Sequence, residues 1–221
     1  MSVLSSRLLG RRPDFSRVLA AGLIAAAAVA GCGSTRAAES DRIARLLGLA
    51  TGMTVADVGA GNGDYSFPLA ERVGREGHVF ATEVDKDDVA RIERRIESGD
   101  LENLTAILGT AEATGLDDGC CDAILLRLVY HHFTKPEPMR RSLMAALKPG
   151  GLIAVIDIEP QSNWSELPGV PDRGGHGIPP GDLVAEMIGD GFELVERIDE
   201  WPGDEDYYLV LFRRPAYQAT P

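Results

Sequence analysis

The run Val55-Ala56-Asp57-Val58-Gly59-Ala60-Gly61-Asn62-Gly63-Asp64 constrains the fold more than any other stretch of the chain. An apolar segment with one acid gives way to three glycines at alternate positions, and the residues after them follow a helical pattern. Glycine has no Cβ, so it accepts positive φ and lets a backbone come close to a ligand. Between a strand and a helix, such a loop is where an adenosine-type cofactor lies in an open α/β sheet. By itself it can also be a plain strand-to-helix turn, so the remaining pattern has to decide.

That pattern alternates. Ile43, Leu46, Leu47 and Ala50 predict a short leading helix stopped by Gly52, and 54–58 reads as the first strand. A helix is expected over 65–73, a strand over 78–84, and a helix marked by Val89, Ile92 and Ile96. Strands follow at 105–108 and 122–128, then a helix over 135–147 with Met139, Leu143 and Leu147 on one face. Lys148-Pro149-Gly150-Gly151 reads as a turn into the apolar strand 152–158, which suits a central parallel position. Leu183, Val184, Met187 and Ile188 mark a last helix, and 193–199 and 207–213 close the chain as two strands. Strands alternating with helices imply a parallel α/β sheet.

A dinucleotide loop of the form Gly-x-Gly-x-x-Gly would need glycine at position 64, which is Asp64. The pattern Asp57-x-Gly59-x-Gly61-x-Gly63 instead resembles motif I of class I S-adenosylmethionine-dependent methyltransferases. In that family the loop backbone lies along the methionine part of the cofactor. The acid at the end of the second strand, Glu83 in preference to Asp85, matches the position that takes the ribose hydroxyls. Gly109-Thr110-Ala111-Glu112 resembles the adenine-side loop, with Thr110 where an aspartate is usual. Lys148-Pro149-Gly150-Gly151 and the strand after it resemble the family's fifth-strand entry.

The resemblance runs from Ser40 to Arg213. It implies a Rossmann-like methyltransferase fold, α/β, with seven strands in the order 3-2-1-4-5-7-6, the last antiparallel, and helices on both faces. It also implies S-adenosylmethionine as cofactor, held by Asp57, Gly59, Ala60, Gly61, Gly63, Glu83, Thr110, Ala111, Glu112 and Arg127. The sulfonium would sit at the carboxyl ends of strands one and four.

Methyl transfer is an in-line displacement in which the protein aligns the acceptor and, where needed, takes its proton. His131 and His132 follow strand four near that point, and histidine titrates near neutrality. His176 is a third candidate base. It comes from the long segment 159–179, which also carries Trp164, Asp172 and Arg173 and reads as a lid or acceptor wall. The alternative is that the His131–His132 pair only caps and packs. No metal site is expected: the three cysteines have no zinc-ligand spacing, and the adjacent Cys120 and Cys121 read as free thiols.

The amino terminus has a different character. Residues 1–17 are arginine-rich, and the uncharged apolar run 18–30 is too short for a bilayer span but suits the core of a signal peptide. Val29-Ala30-Gly31-Cys32 resembles a bacterial lipobox, which implies cleavage before Cys32 and lipid on its thiol. An uncleaved membrane anchor is the other reading. The chain thus divides into a signal peptide (1–31), a lipidated cysteine and tether (32–39), a methyltransferase-like domain (40–214) and a tail (215–221).

The four arginines and one aspartate of residues 1–31 contribute +3, so the remainder carries −15 against −12 for the whole chain. A surface that acidic repels phosphate backbones and excludes nucleic acid as the expected substrate. The expected protein is an exported, membrane-anchored methyltransferase for a small or medium-sized acceptor, with no protein partner. The alternative is a non-catalytic lipoprotein on the same fold that binds an adenosine metabolite or acts as a scaffold.

Overall fold

The computed structural model describes residues 36–99, 101–162, 168–202 and 206–216. The expected signal peptide, Cys32, residues 33–35 of the tether, Trp164 and the end of the tail lie outside the described residues. A compact unit begins at Glu39, and its residues 39–46 are helical (α1). Gly48, not Gly52, ends this helix. Its φ is +63°, its N–H donates to Arg45 O, and Leu49 N–H reaches back to Ala44 O. This pair of bonds satisfies orphan carbonyls of the last turn and needs a left-handed residue between them.

The sheet has seven strands: β1 (Thr54–Val58), β2 (His78–Glu83), β3 (Leu104–Leu108), β4 (Cys121–Arg127), β5 (Leu147–Ile158), β6 (Glu193–Ile198) and β7 (Tyr207–Arg213). Their order is β3-β2-β1-β4-β5-β7-β6. The first five are parallel, and β7 runs antiparallel to both β5 and β6. Helices α2 (Ser66–Val73), α3 (Lys86–Gly99), α4 (Pro136–Ala146) and α5 (Pro180–Gly189) complete the alternation.

Alternate strand residues face opposite sides of a sheet, and here they build two cores. Val58, Ile124, Leu126 and Val155 pack with Leu143 of α4 and with Leu183 and Met187 of α5. Val55, Val79, Leu125 and Ile156 pack on the other side with Leu47, Leu69, Val73 and Ile92. Burial on both faces explains why β4 and β5 read as unbroken apolar runs.

A second boundary also differs from the sequence expectation. Lys148–Gly151 is part of β5 rather than a turn before it: Cys121 pairs with Leu147 and Ala123 with Leu152, so the extra residues form an irregular bulge. Gly150 N–H donates to Arg214 O, and Arg214 N–H donates to Gly151 O. The β7 end therefore satisfies backbone that would otherwise have had to turn into solvent.

Candidate active site

Strand order reverses between β1 and β4, which is where open α/β sheets leave a crevice beyond their carboxyl ends. A cavity of about 300 Å³ occupies that position, lined by Val58 and Gly59 after β1, Thr82–Val84 after β2, Gly109–Ala111 after β3, and Leu128–Val129 and His132 after β4. Gly59 has φ +73°, and a Cβ there would lie 2.3 Å from Val129 Cγ2. The loop backbone can reach this position only without a side chain. Leu128, with φ +56°, is the one non-glycine residue of positive φ among the described residues. Its N–H is tied to Ile156 O at 2.8 Å. Strain of this kind persists where surrounding structure imposes it.

Glu83 closes one wall. Its Oε1 accepts the Gly61 N–H at 2.6 Å, and Oε2 accepts the Val84 N–H at 3.1 Å. Each oxygen retains acceptor capacity toward the cavity. Asp57 lies beneath the loop, buried, and accepts the Ser66 hydroxyl at 2.6 Å. Burial pushes its carboxyl up to about 6, against the pull of the Ser66 hydrogen bond. Thr110 Oγ1 accepts the N–H groups of Glu112 and Ala113, which holds the loop after β3 in a turn.

The histidines gather at the cavity's edge. Tyr130–His132 forms a single 3₁₀ turn after β4. His176 is brought alongside by an isolated bridge in which Gln161 and His176 exchange backbone hydrogen bonds of 2.9 and 3.2 Å. His131 Nδ1 lies 2.5 Å from Asp157 Oδ1, and His131 Nε2 lies 3.1 Å from His176 Nε2. Asp157 also accepts the His131 and Ile158 backbone N–H groups. Burial lowers His132 to about 4, helped by the neighbouring imidazoles, and lowers His176 below the usual histidine range. Both shifts favour the neutral imidazole.

A family model described as a methyltransferase domain matches residues 49–184. The chain belongs to the methyltransferase domain family. It is 25% identical over 206 residues to an arsenite methyltransferase of Halobacterium salinarum, covering 84% of this chain and 51% of that protein. It is 28% identical over 112 residues to the ubiquinone/menaquinone biosynthesis C-methyltransferase UbiE of Idiomarina loihiensis, covering 50% of this chain and 44% of that one. This methyltransferase-domain chain thus spans about half the length of the curated relatives it matches.

Its fold matches the crystal structure of a SAM-dependent methyltransferase from Aquifex aeolicus with TM-score 0.66 at 22% identity, covering 79% of this chain and 89% of that one. The crystal structure of the [4+2]-cyclase SpnF matches equally well, with TM-score 0.66 at 16% identity and 80% of each chain covered. Similarity of fold does not by itself select a chemistry.

Among the residues singled out from sequence, Gly59, Glu83, Thr110, Ala111 and His132 line the cavity. Ala60, Gly61 and Gly63 belong to the loop above it. Glu112 is exposed and not in the lining.

Arg127 is also outside the lining. It pairs with Glu39 through Nε at 2.9 Å and Nη2 at 3.2 Å, and it stacks on Tyr65. Glu39 further accepts from the Tyr65 hydroxyl and from Trp201 Nε1 at 2.8 Å. Burial opposes its charge, but these hydrogen bonds outweigh burial and hold it below the usual carboxylate range. Glu39, placed at the end of the tether by sequence, is therefore engaged in the fold.

Sequence reasoning missed Asp157. Its signal was an acid inside an otherwise apolar strand, which burial must pair with something. Tyr130 is withdrawn from proton chemistry, because burial and the Glu186 carboxylate push its hydroxyl up. Cys120 and Cys121 are free, the second buried.

Proposed function

We propose that the protein is an S-adenosylmethionine-dependent methyltransferase for a small or medium-sized acceptor, held at a membrane by lipid on Cys32. The observation that carries the enzymatic part is the cavity at the strand-order reversal, with Gly59 beneath it and Glu83 in its wall. The residues present fit the cofactor. A glycine whose Cβ would collide with Val129 lets backbone lie along an extended ligand, and the free lone pairs of Glu83 match two ribose hydroxyl donors. Thr110 and Ala111 line the same space where an adenine edge would lie. When bound, the cofactor supplies an electrophilic methyl group and its own leaving group.

The protein's part is placement and proton removal. The β1 and β4 ends frame the side from which an acceptor would approach, with Val129 and His132 on the β4 side. His131, oriented by Asp157, turns its Nε2 to His176, and the imidazoles of His131, His132 and His176 are the candidate proton acceptors, with His132 in the cavity lining. The arsenite and quinone methyltransferase relatives suggest no single acceptor class.

Calorimetry of the full chain with S-adenosylmethionine and S-adenosylhomocysteine tests the reading. We expect both to bind, and absence of binding at millimolar ligand would overturn it. Binding without turnover across an acceptor panel would favour the non-catalytic alternative.

The anchor is supported by the charged, apolar and small-residue order of residues 1–32. Among the described residues no helix is long and apolar enough to cross a membrane. Metabolic labelling with palmitate should be lost in Cys32→Ala, and labelling that persists would count against lipid on this thiol.

A further inference from the structure

Three imidazoles from two distant parts of the chain meet beside the cavity, which methyl transfer as such does not require. His131 and His132 stand on the 3₁₀ turn after β4, and His176 arrives from the segment after β5. We propose that His131, His132 and His176 form a binding site for a divalent first-row transition ion, best matched by zinc, with a coordination position left open beside the cavity.

The donor set comes first. The ligand nitrogens of the three rings all lie within 4.8 Å of one another. A set of three imidazoles suits zinc, copper, iron or nickel and disfavours magnesium or calcium, which prefer oxygen. Two nitrogens bound 2.0–2.1 Å from a tetrahedral ion lie about 3.3 Å apart, and His131 Nε2 and His176 Nε2 are 3.1 Å apart.

The surroundings are those of a ligand histidine. Metal-bound histidines commonly donate their second ring N–H to a carboxylate, which fixes the tautomer and the ring plane. Asp157 stands in that place, wholly buried, 2.5 Å from His131 Nδ1. Its carboxylate is held by the backbone N–H groups of His131 at 3.2 Å and Ile158 at 2.8 Å. With Nδ1–H given to Asp157, the Nε2 lone pair of His131 faces the other two rings.

His176 is also fixed rather than carried on a free loop. Its backbone pairs with Gln161. Next to it, Gly177 has φ +136° and lies so close that a Cβ would be 2.7 Å from Glu159 O. His132 is exposed and lines the cavity, so an ion at the three rings is reachable from solvent. Three protein ligands leave a tetrahedral ion one position for water or substrate.

That position gives the site a use. An acceptor hydroxyl or thiol ligated there loses its proton to solvent more easily. Its lone pair can then form the bond to the methyl carbon while the carbon–sulfur bond pair stays on the departing sulfur. This use rests on the methyl-donor reading of the cavity, whereas the ion site rests only on the histidines.

The test is ion binding to the untagged full chain after dialysis against chelator. Zinc is titrated in competition with a chromophoric chelator, and cobalt is followed by its visible absorption. The expected result is a single tight equivalent of zinc and the cobalt bands of a four-coordinate site. Asp157→Asn should weaken zinc binding about 10–100-fold, and His176→Ala and His132→Ala should each weaken it at least as much. Circular dichroism establishes that each variant is folded.

A folded wild-type protein that takes up no ion at micromolar zinc would overturn the proposal. So would His132→Ala and His176→Ala proteins that bind as tightly as wild type. Calorimetry of the zinc-free protein with S-adenosylmethionine is a separate readout, so failure of the ion site and failure of the methyl-donor reading are distinguishable.

Discussion

Glu83 and Gly59 hold the two sides of the cavity by opposite means, one by offering lone pairs and one by offering no side chain. Replacing Glu83 with alanine removes the acceptor of the Gly61 N–H and, on the proposed reading, those of two ribose hydroxyls. Affinity for S-adenosylmethionine should fall by about 1–3 kcal/mol, measured by calorimetry. Unchanged affinity would mean that the ribose lies elsewhere. The glycines of the loop should not behave alike. An added Cβ at Gly59 meets Val129 at 2.3 Å, whereas at Gly61 it meets nothing within 4 Å. Gly61→Ala should cost only left-handed strain, about 1–2 kcal/mol. Gly59→Ala should cost about 1–3 kcal/mol more through overpacking, visible in denaturant unfolding and in lost cofactor affinity. Equal effects of the two substitutions would contradict the close approach described here.

At the scale of elements, α4, α5 and the segment before α5 are joined by buried charge. Arg140 reaches Glu186 at 2.7 Å and also bonds Asp190 and the Tyr130 hydroxyl. Arg173 reaches the other Glu186 oxygen at 2.8 Å, with only 5% of its side chain exposed. This pair ties the segment that carries His176 to α5. Arg173→Met keeps the stem's packing and removes the tie. We expect local opening of residues 168–178 to become easier by about 1–3 kcal/mol, read as faster amide exchange there, with α4 little changed. Exchange that is unchanged in that segment would assign its order to the Gln161–His176 bridge instead.

The whole molecule places one carboxyl where charge is costly, and its stability should record that. Asp57 is buried at the end of β1 and its carboxyl is raised from 3.8 to about 6. An acid whose folded-state value is raised binds its proton more tightly when folded. Its favourable contribution is therefore complete below pH 4 and is lost as pH rises through 6. Asp57→Asn removes the titration and still offers Ser66 an acceptor. Relative to the variant, wild type should lose about 3 kcal/mol at most between pH 4 and pH 7. Urea midpoints across that range measure it, and parallel curves would mean that Asp57 is hydrated in the folded protein.

The order of elements, the glycine loop and the Glu83 position were legible in sequence because each depends on neighbours along the chain. Apolar runs on the central strands, helical spacing on α3 and α4, and glycine where φ is positive are all local consequences of local residues. The boundaries that differ, Gly48 for Gly52 and the Lys148–Gly151 bulge inside β5, depend on which backbone groups find partners elsewhere, here Ala44, Arg45 and Arg214.

The rest needed the folded chain. Three histidines were visible as three candidates, but the meeting of His131 with His176, 45 residues away, depends on a two-residue bridge and a glycine's close approach. Arg127 offers the same lesson in reverse. Sequence expects it beside the cofactor, and the structure pairs it with Glu39, 88 residues earlier, where a half-buried guanidinium has a carboxylate to compensate its lost hydration. Sequence by itself determined the strand order's local ingredients and the glycine loop at the cavity. Only the tertiary structure decided which charges and imidazoles share one space, because burial and pairing energies act between residues that the chain keeps far apart.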